Sequence, residues 1–161
     1  MEFASPKFPI AGLLACTPDI SQLNIEAKCT MEWTTPHDPA EYEELHIPVV
    51  DVLETLTVSK DGTGETLVPA LRSLSLGFGP PLNVDNASTI TEALLTMVSS
   101  RRAKRRRISD DDDGSPILSE FEFIYDSPIE LQSALAEPSF RTRLEAVMDG
   151  AARCVVQPGE I

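Results

Sequence analysis

A block of like charge in the middle of the chain is the strongest constraint on how it can fold. Residues 101–107, RRAKRRR, hold six of the thirteen Lys and Arg residues and no acid, and four consecutive aspartates begin at Asp110. Six neighbouring cations cannot be desolvated together in a core, so the block has to lie at the surface. We therefore expect residues 101–116 to form an exposed basic-acidic linker.

The rest of the chain is acidic. Residues 1–100 carry 14 acidic and 4 basic side chains, residues 108–161 carry 12 and 3, and the formal net charge is −13. General binders of nucleic acid or of membrane surfaces need a broad basic face, because phosphate contacts supply much of their affinity. Neither kind of partner is favoured by this charge balance. No apolar run approaches the roughly 20 residues that cross a bilayer, and we expect no membrane partner.

The apolar residues occur in short runs that Pro, Ser and Asp interrupt. Leu, Ile, Val and Phe make up 43 of the 161 residues, which exceeds the share of about 20% below which chains are usually disordered. Few periodic segments are long, and no internal repeat is evident. We therefore predict a mainly α fold with long irregular or disordered segments, and no motif identifies a known fold.

The first hundred residues divide into two parts. Residues 1–37 hold three Ser/Thr-Pro pairs without sustained periodicity, which predicts an irregular N-terminal segment. Residues 38–100 are predicted to be a loosely packed helical and hairpin region. A strand over residues 49–58 would enter a small β-hairpin near 49–68, although its apolar residues also fit one helical face.

Three helices are predicted in the second of these parts, and the first begins at Asp38, which can cap it, and Pro39 and ends at about Leu45. Pro69 to Leu76 could form a short helix, and a capping box at Thr89 predicts a longer helix that ends at about Ser100. Leu67, Leu71, Leu74 and Leu76 also have the spacing of leucine-rich export signals. We favour a core role for these leucines, whereas their exposure would add shuttling between nucleus and cytoplasm.

Residues 117–150 are predicted to be a short helical interaction segment, followed by a tail over 151–161. Helices are expected from Ser127 to about Ala136 and from Pro138 to Gly150. Residues 117–131 alternate acidic with large apolar side chains, which fits a segment that becomes ordered on a partner and equally a strand with alternate residues inward. The candidate partner contacts are Leu118, Phe121, Phe123, Tyr125, Phe140 and Leu144.

The composition of the basic block is typical of a targeting signal. Its cationic residues are Arg101, Arg102, Lys104, Arg105, Arg106 and Arg107. An exposed basic strand can place successive charges in acidic slots of a carrier, and the spacing resembles monopartite nuclear-localisation signals, which implies an importin-type carrier. The alternatives are a solvated tail and contact with nucleic acid. The nucleic acid is less favoured, because no aromatic residue is interleaved for stacking and the aspartates repel phosphates.

Three serines that follow the basic block predict regulation by phosphorylation. Ser109 follows arginines and precedes aspartates, so it resembles both a basophilic-kinase and a casein-kinase site, and Ser115 and Ser127 each precede proline. A phosphate at Ser109 would add about −1.5 to −2 charge beside Arg107. We interpret the three serines as phosphorylation candidates that could tune binding of the carrier.

The chemistry of catalysis and of metal binding is not evident in the sequence. Cys16, Cys29 and Cys154 form no C-x-x-C pair, and His37 and His46 are the two histidines. No phosphate-binding glycine loop or nucleophile motif occurs. We predict no enzyme, no cofactor and no metal site.

These observations predict a nuclear regulatory or adaptor protein that acts through contacts with another nuclear protein, whose identity stays open. The alternative is the regulatory, activation-type region of a DNA-associated transcription factor, with the basic block on DNA phosphates. A strongly negative dependence of DNA affinity on salt would favour the alternative.

Overall fold

Four short segments with alternating apolar residues form a parallel β-sheet. The computed structural model describes residues 10–27, 49–58, 67–78, 87–103, 117–125 and 129–159. The elements in these ranges are, in chain order, α1 (Ile10–Ala15), β1 (Gln22–Ala27), α2 (Val49–Leu56), β2 (Ser73–Phe78), α3 (Ala87–Ala103), β3 (Glu120–Tyr125), α4 (Ile129–Ala136), α5 (Pro138–Val147) and β4 (Arg153–Pro158).

The strands lie side by side in the order in which the chain makes them. The sheet order is β1-β2-β3-β4 and every neighbouring pair is parallel. Crossovers between parallel strands are right-handed, so a sheet that grows in one direction keeps its connections on one side. The contacts of α1 with α2, of α2 with α3, and of α3 with α4 and α5 agree with this arrangement. The described fold is one sheet with helices on one face.

Alternate residues of the sheet point into the core. Leu74, Leu76 and Phe78 of β2 are buried and pair in register with Phe121, Phe123 and Tyr125 of β3, which are buried too. The Phe123 ring lies 5.7 Å from that of Phe78 and 5.9 Å from that of Tyr125, between centroids. The helices cover these side chains with apolar residues that include Leu53, Leu56, Leu94, Met97, Leu131 and Leu144.

The predicted mainly α fold with a small hairpin is wrong, because the described chain is α/β with a four-stranded parallel sheet. Residues 49–56 form a helix rather than a strand: Val49, Leu53 and Leu56 share one buried face. The short helix predicted over 69–76 is also wrong, since β2 occupies Ser73–Phe78. The proposed hairpin turn and the helix expected after residue 38 lie outside the described residues.

Helices with a clear capping or proline signal were predicted well. The helix expected from Thr89 is α3, which extends to Ala103, and the two expected after residue 126 are α4 and α5. Leu71, Leu74 and Leu76 are buried, which confirms the core role favoured for this leucine series.

The sheet also contains a repeat that the sequence analysis missed. Before each of β2, β3 and β4, two successive amides donate to one carbonyl at the start of the preceding strand. The acceptors are Ser21, Arg72 and Ser119, at distances of 2.8–3.0 Å, 2.8–3.0 Å and 2.9–3.2 Å. An apolar residue precedes each acceptor, at Ile20, Leu71 and Leu118. The connecting segments differ in length, so the recurrence does not appear as a fixed period.

One ion pair joins α3 to α5. The Arg143 guanidinium donates to both carboxylate oxygens of Glu92, with 2.9 Å between Nη2 and Oε2. This hydrogen bond lowers the pKa of Glu92 below its usual value. The pair therefore stabilises the fold at pH above the unfolded-state value of about 4.3, and this stabilisation is lost as the pH falls through the lowered folded-state pKa.

We expect Glu92→Gln to unfold at a lower urea concentration than the wild type at neutral pH, by a small margin because both side chains are exposed. The two midpoints should converge in acid. Urea unfolding followed by circular dichroism at a series of pH values measures this. A difference that persists unchanged in strong acid would contradict the role of the pair.

Candidate functional site

The first residues of the basic block belong to the folded part of the chain. Arg101 lies in the last turn of α3, and only 6% of the residue is exposed. Its guanidinium donates hydrogen bonds of 2.8 Å to three backbone carbonyl oxygens, those of Leu56, Leu67 and Val68. Arg101 therefore connects the end of α2 with the turn that precedes β2.

Burial changes the acid-base behaviour of Arg101 without removing its charge. Desolvation lowers the pKa of the guanidinium to about 10, so the side chain is a cation at neutral pH. The carbonyl of Leu56 ends α2, where unpaired carbonyl dipoles favour a positive charge. Val68 has a φ of 46°, a left-handed conformation that β-branched residues rarely adopt, and Arg101 binds its carbonyl.

Arg102 also binds the backbone of the folded chain. Its guanidinium donates to the carbonyl oxygen of Leu118 at 2.7 Å and to that of Asp149. The end of α3 is thereby joined to the start of β3 and to the turn before β4. Contrary to the exposed linker predicted over residues 101–116, Arg101 is buried and both arginines bind backbone carbonyls of the scaffold.

The remaining predicted import and phosphorylation residues lie outside the described residues. They are Lys104, Arg105, Arg106, Arg107, Ser109, Ser115 and Ser127. The described part of α3 ends at Ala103, which is exposed.

The apolar residues predicted to contact a partner form part of the core instead. Leu118, Phe121, Phe123, Tyr125, Phe140 and Leu144 are all buried. Their alternation in residues 117–125 reflects a strand with one covered face, which was the other interpretation of that pattern. These side chains do not offer a surface to a partner in this fold.

The face of the sheet opposite the helices carries no buried residue in the four described strands. It carries Gln22, Asn24 and Glu26 from β1, Ser73, Ser75 and Gly77 from β2, Glu120, Glu122 and Ile124 from β3, and Arg153, Val155 and Gln157 from β4. We call these twelve residues the open face. All of them are exposed or half-buried.

A small polar network fixes the side chains at the centre of the open face. The Glu122 carboxylate accepts a 3.1 Å hydrogen bond from Ser75 Oγ and a 2.7 Å bond from Arg153 Nη2. Glu122 is thus held between β2 and β4 by its neighbours on both sides. Glu120, two residues earlier on the same strand, is exposed.

Next to this network the open face is less polar. Gly77 lies between Glu26 of β1 and Ile124 of β3 in register. A Cβ atom at Gly77 would lie 3.4 Å from Cγ of Glu26, so the Glu26 side chain lies alongside the glycine. Ile124 and Val155 are both half-buried. This part of the face therefore combines an apolar floor with carboxylates beside it.

The β4 edge of the sheet is less suited to binding than the open face. The Arg141 guanidinium on α5 donates to the carbonyl oxygen of Val156 in β4 at 3.3 Å and to that of Leu135 at the end of α4 at 3.1 Å. Pro158 ends the strand and has no amide hydrogen to donate. Both features oppose addition of a further strand to β4.

Metal binding and membrane insertion are two further functions to consider for the described residues. No group of three or more His, Cys, Asp and Glu side chains in those ranges is arranged to hold a metal ion. Among the helices described there, none is long and apolar enough to span a membrane. Cys154 is exposed on β4, and desolvation raises the pKa of its thiol.

The chain matches no family model, no curated protein and no solved structure.

Proposed function

We propose that this chain is a nuclear regulatory or adaptor protein that binds another protein through the open face of its sheet. The observation that supports this most is that one face of the parallel sheet carries only exposed or half-buried side chains. Parallel sheets usually have both faces covered by helices. When successive strand and helix units stack in chain order, the resulting uncovered surface is commonly used for binding.

The sequence supports the nuclear part of the proposal. Lys104-Arg105-Arg106-Arg107 resembles the core of a monopartite import signal, and it follows directly on the exposed end of α3. An importin-type carrier would bind these four residues without needing Arg101 or Arg102. Phosphorylation of Ser109 would add negative charge beside Arg107 and weaken that binding, with Ser115 and Ser127 as further candidates.

A fluorescent fusion too large to diffuse through nuclear pores tests the address. We expect the wild type to accumulate in the nucleus and a variant with residues 104–107 changed to alanine to stay in the cytoplasm. The control changes Arg72 and Arg143 to alanine, which removes exposed cations outside residues 104–107 and outside the open face, and should remain nuclear. Equal distribution of wild type and the 104–107 variant would refute the import function.

Site-specific photo-crosslinking in cells tests the contact surface. A photoreactive residue at Val155 on the open face should form a discrete crosslink to another protein. The same residue at Ser99, which is exposed on α3, is the matched control and should not. Crosslinks that form from Ser99 and not from Val155 would place the contact surface on the helices and contradict the proposal.

A further inference from the structure

We infer that the open face binds an extended segment of a partner protein that carries Arg or Lys side chains. This inference rests on the proposed function, because it names the chemistry of the partner for that same surface. Three properties of the open face lead to it: its charge, its apolar floor and its size.

The charge of the open face is complementary to a basic segment. Among its twelve residues Glu26, Glu120 and Glu122 are acidic and Arg153 is basic. Arg153 forms an ion pair with Glu122 and compensates its charge, so Glu26 and Glu120 provide the net negative charge of the open face. Both of these carboxylates belong to exposed residues.

The apolar floor accommodates the long stems of basic side chains. Gly77, Ile124 and Val155 are neighbours on the sheet, with the carboxylates of Glu26 and Glu122 beside them. Lys and Arg place their methylene groups against apolar surface and keep the charged end in a polar setting. The combination of floor and carboxylates therefore suits these two residue types better than a purely apolar or an acidic side chain.

The size of the open face favours an extended segment over a folded partner. Six residues at about 3.3 Å and four strands at about 4.8 Å give an area of about 400 Å². A stable interface between folded proteins generally covers about 800 Å² on each partner, so a second copy of this chain would be poorly held. In an extended segment every second side chain faces the same way, at the same interval that separates Glu120 from Glu122 along β3.

Fluorescence anisotropy with a labelled synthetic peptide tests the inference. The peptide alternates Arg with Ser over the length of a strand, and a second peptide has Gln in place of each Arg. The full chain should bind the Arg peptide and not the Gln peptide. Because any polycation is attracted to a chain of net charge −13, the decisive comparison is between two variants with equal charge change.

The double variant Glu26→Lys with Glu120→Lys alters the open face. The control, Glu54→Lys with Glu145→Lys, makes the same charge change at exposed positions on α2 and α5. We expect the open-face variant to weaken binding about tenfold and the control to change it less than about twofold. Equal weakening by both variants would overturn the inference, since attraction to net charge alone would then explain the binding.

Backbone amide NMR shifts separate failure of the inference from failure of the proposed contact surface. Shifts at Ser75, Ile124 and Val155 with the Arg peptide are the expected result. If instead the Gln peptide binds and shifts these amides while the Arg peptide does not, the basic chemistry is wrong and the open face stands. Shifts confined to the helices with the Arg peptide would overturn both, and no binding of the Arg peptide would overturn the inference alone.

Discussion

Replacement of Arg101 by methionine is expected to lower the free energy of unfolding by about 4 kcal/mol, although the new residue is apolar and similar in length. The guanidinium satisfies three backbone carbonyls, those of Leu56, Leu67 and Val68. Without it, these acceptors lose their charged donor in a place that water does not easily reach. The Val68 turn, with its left-handed backbone, also loses a contact that stabilises it.

Urea unfolding of the purified chain, followed by circular dichroism, measures this loss. Arg101→Lys keeps the charge but lacks the planar fork that reaches three acceptors, so an intermediate loss is expected. Arg143→Met, in an exposed ion pair, is the matched control and should shift the midpoint only slightly. A stability of Arg101→Met equal to that of the control would show that the carbonyls find other partners.

Phe123→Ala is expected to lower the free energy of unfolding by about 4 kcal/mol, through lost burial and the cavity that remains. The side chain is fully buried at 0% exposure in the middle of β3. Its ring lies beside those of Phe78 and Tyr125, at centroid distances of 5.7 and 5.9 Å. The surrounding strands restrict collapse of the cavity.

The same measurement distinguishes a core residue from a contact residue. Phe123→Leu retains much of the volume and should cost less than the alanine variant. Ile129→Ala removes a side chain on α4 that is 77% exposed, and we expect almost no change. If Phe123→Ala kept wild-type stability and lost only partner binding, the role first predicted for Phe123 would be correct and the fold described above would not.

Local signals explain which elements could be predicted. The capping pattern at Thr89, two residues into α3, and Pro138 at the first position of α5 are signals that depend on a few neighbouring residues. Residues 49–56 and 73–78 are short apolar runs without such marks, and helix and strand compete closely in them. Pairing with strands far along the chain decides the outcome for β2, and no local pattern contains that information.

The candidate site depends still more on distant parts of the chain. Ser73 and Ser75 alternate with buried leucines, as Glu120 and Glu122 do with phenylalanines, and this alternation was visible in the sequence. The sequence did not show that the four strands lie in chain order or that the helices lie on one side only. Since burial of one face follows from that order, the open face could not be predicted from any single segment.

The buried position of Arg101 could have been predicted from the helical periodicity of the residues before it. Leu94, Met97 and Val98 are buried at helical spacing in α3, and Arg101 continues the same face one turn later. Because Arg101 was grouped with the basic residues that follow it, it was predicted to be exposed. The periodicity of α3 would have placed it against α2.

The hydrogen bond between Arg102 and Leu118 has a consequence for how this protein can diversify. It holds residues 102 and 118 next to each other, at 2.7 Å between guanidinium nitrogen and carbonyl oxygen. The residues that flank the intervening sequence are therefore fixed by the scaffold, and doubling the length of a flexible connection between two fixed ends generally costs only about 0.6 kcal/mol. Insertions, deletions and new sequence motifs between these two points can accumulate with little effect on folding, so the proposed address can evolve separately from the proposed contact surface.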